Sequence, residues 1–79
     1  MTNYEIANEL TALTRKFHNS ARVEYTGRGG VFTVSTTSAK QLRGVCFDLA
    51  LGMTRGGMSP VFAPAALIGK RYTVEVTIK

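Results

Sequence analysis

The sequence predicts a small α+β domain, a two-layer sandwich in which two helices cover one face of a three-stranded antiparallel sheet. Three observations predict it: two stretches whose apolar residues recur at helical spacing, three that alternate apolar with polar residues, and glycines placed between them. The 79 residues are 44% hydrophobic and 19% charged, which suits one modest core and a single domain over residues 1–79. No apolar run approaches the roughly 20 residues of a membrane span. A lone cysteine, Cys46, excludes an internal disulfide framework, and the start of the chain does not resemble a secretory signal, so a reducing cytoplasm is the expected setting.

The first helix is expected over residues 3–18, where Ile6, Leu10, Leu13 and Phe17 form one stripe and Thr2 with Glu5 fits a capping box. Asn19 and Ser20 stop it. Residues 21–26 then alternate, Ala21, Val23 and Tyr25 facing one way and Arg22, Glu24 and Thr26 the other. Gly27, Arg28, Gly29 and Gly30 supply a hairpin loop, and residues 31–37 return as a β-branched strand with Phe32 and Val34 inward.

Ser38 and Gln41 suggest a second capping box. Leu42, Val45, Cys46, Leu49 and Met53 give the second amphipathic helix, within which Gly44 permits close packing against the sheet or the first helix. Residues 54–69 hold both prolines among apolar side chains and read as a packed connection with a helical turn near Pro64. From Arg71 onward, Tyr72, Val74, Val76 and Ile78 alternate with Thr73, Glu75, Thr77 and Lys79 as a final strand. The order is α-β-β-α-β. A strand-helix-strand crossover places the last strand beside the first, in sheet order 2-1-3.

Ten Lys and Arg against five Asp and Glu leave a formal charge of +5, which points to nucleic acid or an acidic protein surface as partner. On the expected chain path, Arg28 in the hairpin loop, Arg55 after the second helix, and Lys70 with Arg71 before the last strand converge at one glycine-rich end. The positive end of the first helix dipole joins them there. These four are the candidate partner- or nucleic-acid-binding residues.

No catalytic, cofactor-binding or metal-ligating set is expected. His18, the only histidine, suits the C-terminal dipole of the first helix; Cys46 lies on an apolar stripe; Glu5, Glu9, Glu24, Asp48 and Glu75 are dispersed. No Walker loop, dinucleotide fingerprint or serine elbow occurs. The GxxG pattern at Gly27–Gly30 joins strands, whereas a KH loop joins helices, and the threonine-rich outer sheet face lacks the aromatics of an RRM. An enzyme is therefore not expected. Either outer strand offers an edge for pairing with a second copy.

In its overall layout, rather than through a motif, the chain resembles the small non-enzymatic inhibitors encoded by phages and mobile elements, including anti-CRISPR proteins. That resemblance implies a binding protein that occupies a protein or ribonucleoprotein effector complex and obstructs its handling of nucleic acid. The basic charge departs from the acidic nucleic-acid mimics among them. The alternative expectation is a small basic domain that binds nucleic acid directly through its glycine- and arginine-rich end.

Overall fold

The first helix begins at the predicted capping box: the Thr2 hydroxyl accepts the Glu5 N–H at 3.2 Å, and the Glu5 carboxylate accepts the Thr2 N–H at 3.2 Å. The computed structural model describes residues 2–78. In chain order it contains α1 (Asn3–Thr14), β1 (Arg22–Tyr25), β2 (Val31–Thr36), α2 (Ala39–Arg55), β3 (Pro60–Phe62), β4 (Ala66–Ile68) and β5 (Arg71–Ile78). The α+β class and the antiparallel pairing agree with the sequence. The sheet has five strands rather than three.

Their order differs too. β5 lies between β2 and a broken edge formed by β3 and β4 end to end, giving β1-β2-β5-β3 with β4 also on β5. The expected order, with the last strand beside the first, is overturned by residues 54–69. Instead of a packed connection with a helical turn, they pair along β5 and carry the chain back down the molecule, so that β5 runs opposite to the expected direction. Running that way it is antiparallel to β2, with Val31 opposite Thr77 and Thr36 opposite Tyr72.

One core joins the inward residues of the sheet, Val23, Phe32, Val34, Val74 and Val76, to Leu42, Val45, Leu49 and Met53 of α2 and Ala7 of α1. The α2 stripe is the predicted one. The α1 stripe is not: Ile6 and Leu10 pack against the core, but Leu13 and Phe17 remain exposed, and Ala7 and Thr14 are buried in their place. The cause is that α1 lies along the outer edge of β1. There the Thr11 hydroxyl accepts the Val23 N–H and approaches the Val23 carbonyl, each at 2.9 Å, and Arg15 Nε donates to the Ala21 carbonyl at 2.8 Å. A strand edge needs polar partners, so the helix presents a hydroxyl to it and turns its apolar flank aside. At Val23 and Ala21 this edge is thereby occupied by α1 and the turn after it. The opposite edge is blunted by Pro60 and by the break between two three-residue strands.

α1 ends at Thr14, short of His18, and the next residues turn, with the Phe17 and His18 N–H groups both donating to the Thr14 carbonyl. At the start of α2 the Ser38 hydroxyl accepts the Gln41 N–H at 3.1 Å. The second capping box is only half formed, because the Gln41 amide reaches instead to Ser20 and Asn19 of the α1–β1 loop. No helix among the described residues is long and apolar enough to cross a membrane.

Candidate functional site

The topology gives the molecule two ends. At the hairpin end lie the β1–β2 loop, the start of α1 and the end of α2; Gly27 and Gly29 take positive φ there, and the Gly29 carbonyl accepts from the Asn3 amide at 3.2 Å. At the opposite end lie the α1–β1 loop, the start of α2 and the β4–β5 turn.

The four predicted binding residues do not converge. Arg28 and Arg55 sit at the hairpin end, whereas Lys70 and Arg71 sit at the other, because the β3–β4 segment returns the chain before β5 begins. Arg28 pairs with Glu75 across the outer sheet face, Nη2 to Oε2 at 3.1 Å, with both side chains mostly exposed. Arg71 is half-buried and committed to the fold. Its Nε donates to Ser35 Oγ at 3.0 Å and its Nη2 to the Ser20 carbonyl at 2.6 Å and the Ser35 carbonyl at 3.1 Å. This fork ties β5 to β2 and to the α1–β1 loop.

A basic end does form, at the pole opposite the one expected. Arg15 and Lys16 follow α1, Arg22 opens β1, Lys40 and Arg43 occupy the first two turns of α2, Lys70 lies in the β4–β5 turn and Arg71 opens β5, seven of the ten cations. All but Arg71 are exposed. No Asp or Glu lies in the α1–β1 loop, the first two turns of α2 or the β4–β5 turn; the nearest carboxylates along the chain are Glu24, two residues beyond Arg22 in β1, and Asp48, in the third turn of α2 against His18. The N-terminus of α2 adds its positive dipole. Arg15, Lys16, Arg22, Lys40 and Arg43 were missed by sequence reasoning that looked only at glycine-rich turns. The available signal was that residues 15–22 and 37–45 carry cations and no carboxylate.

Between the basic end and the core, His18 clamps the α1–β1 loop to α2. Its Nε2 stands 3.0 Å from Asp48 Oδ2. Its ring lies over Gly44, where a Cβ would come within 2.6 Å of Cε1, so Gly44 is the glycine that admits the α1–β1 loop to α2. The expected role of His18 at a helix terminus is replaced by this clamp, because α1 stops one turn earlier. Cys46 is half-buried, and burial pushes its thiol above the ordinary thiol range, which keeps it in the neutral, weakly nucleophilic form.

Beside the clamp, an open apolar groove of about 710 Å³ runs between the helices, lined mainly by Leu10, Leu13, Phe17, Leu49, Met53 and Met58. It exists because the flank of α1 that was expected to enter the core does not. Set against family models, curated proteins and solved structures, the chain matches none of them.

Proposed function

We propose that the chain is a non-catalytic binding module whose cationic end engages the phosphate backbone of a nucleic acid. One observation carries the reading: seven of ten cations gather at a single pole whose loops and first two α2 turns hold no carboxylate. Six exposed side chains of one sign, none of them ion-paired among the described residues, stand beside a helix N-terminus and form a field that attracts polyanions.

The test is the salt dependence of binding to labelled oligonucleotides, followed by fluorescence anisotropy, for the wild type and for Lys40→Ala/Arg43→Ala. Each phosphate contact contributes about −0.7 to −0.9 to the slope of log K against log salt. The double variant is expected to bind more weakly and to flatten the slope by about 1.5. Absence of binding at low salt, or an unchanged slope, overturns the proposal.

A second reading is that the protein occupies a surface of a nucleic-acid-processing complex and inhibits it. The apolar groove supports this reading, since its aliphatic wall of Leu10, Leu13, Leu49, Met53 and Met58 has no flat face for a base, and exposed apolar surface beside charge suits a protein contact. Retention of a defined effector complex after nuclease treatment, and its loss with Leu13→Asp, favours inhibition over direct nucleic-acid binding.

A further inference from the structure

We propose that the helix side of the basic end binds single-stranded nucleic acid in particular, stacking bases on Phe17 and Phe47. This rests on the phosphate-binding reading and names its substrate class. Phe17 is 81% exposed and Phe47 69%, the highest exposures among the large apolar side chains of the described residues. Neither ring contributes to the core, and a phenylalanine held in water forgoes the free energy its burial would release. Phe17 lies outside α1, carried outward by the turn that follows Thr14; Phe47 faces away from the α2 stripe of Leu42, Val45, Leu49 and Met53.

The clamp brings the two segments that carry the rings side by side. Phe17 immediately precedes His18, Phe47 immediately precedes Asp48, and the His18 and Asp48 side chains meet at 3.0 Å. Each ring is also flanked by cations. Arg15 and Lys16 precede Phe17 in the same turn, while Arg43 and Lys40 stand one and two helical turns before Phe47 on its own face of α2.

Cations that follow a backbone, interleaved with exposed aromatic faces, are what a single strand requires: phosphates meet the charges and unpaired bases lie on the rings. A duplex keeps its bases stacked and offers the phenyl groups nothing without distortion. A protein partner seated on the rings would instead have to desolvate four flanking cations.

The experiment compares short single-stranded RNA and DNA with the matching duplexes, using Phe17→Leu, Phe47→Leu and the double variant. Leucine keeps the side chain apolar and removes the π-face. Single-strand affinity is expected to fall about tenfold for each substitution, while duplex affinity and the salt slope stay within about twofold of wild type. The chain has no tryptophan, so Phe17→Trp supplies a single reporter; it should retain single-strand binding and lose emission when a base stacks on it. Equal binding of both forms with unchanged leucine variants overturns stacking while leaving the phosphate reading intact. Equal losses on strand and duplex also overturn it, and no binding to either form overturns the reading beneath it.

Discussion

Gly44 shows how a single missing methyl group decides which elements touch. In an exposed helix interior, glycine is about 1 kcal/mol worse than alanine, so Gly44→Ala considered alone should stabilise α2. Here the added Cβ would meet the His18 ring at 2.6 Å, forcing the ring off Gly44 and away from Asp48. We expect Gly44→Ala to destabilise the wild type by about 1 kcal/mol and to stabilise a His18→Ala background by about 1 kcal/mol, a coupling within the range measured for touching residues. Urea unfolding of the four proteins checks it; a shift of the same sign in both backgrounds would refute the clamp. The sequence allowed Gly44 a close neighbour. It did not reveal which one, because that depends on α1 ending at Thr14 and on the turn that swings His18 across.

At the scale of elements, the α1 stripe departs from expectation because hydrophobic periodicity registers what avoids water and is blind to what a strand edge needs. Ile6, Leu10, Leu13 and Phe17 satisfy the helical period, yet the buried residues are Ala7 and Thr14, and on the same row Thr11 carries the bond to β1. Thr11→Val is close to isosteric and deletes only the hydroxyl. It leaves the Val23 N–H facing a methyl group, at a cost of about 1–3 kcal/mol. For a domain of this size the melting temperature should drop by about 4 °C or more. Thr11→Ser, which keeps the oxygen, should lose less, and equal melting of Thr11→Val and wild type would show that the edge does not depend on this bond. The capping box at Thr2, the α2 stripe and the alternation of β5 were legible because each is a local pattern sustained over a turn or more. β3 and β4 were not, since three residues are too few for a period of two to appear, and Pro60 in β3 and Pro64 between the two strands carry the signature of a loop.

For the molecule as a whole, the misplaced pole follows from that same short segment: element types were legible, but the direction of β5 hung on two strands that were not, and reversing it sent Lys70 and Arg71 away from Arg28 and Arg55. Charge therefore separates along the chain's long elements rather than by turn composition, and Lys40 shows that the arrangement works against the fold. It lies in the first turn of α2, where no acidic residue stands and where a cation opposes the helix dipole. Lys40→Glu should accordingly raise stability by about 0.3–1 kcal/mol while weakening oligonucleotide binding, opposite signs that no loss of structure can mimic. To separate a localised pole from mere net charge, Lys40→Glu/Arg43→Glu is compared with Arg28→Glu/Arg55→Glu. Each pair takes the formal charge from +5 to +1, but the first alters the crowded end and the second the sparse one. A bound polyanion feels charges mainly within a Debye length, about 8–10 Å at ordinary ionic strength. The first pair is expected to reduce affinity at least tenfold more than the second in the same salt. Equal reductions would mean that overall charge, and not its placement at the start of α2, attracts the ligand.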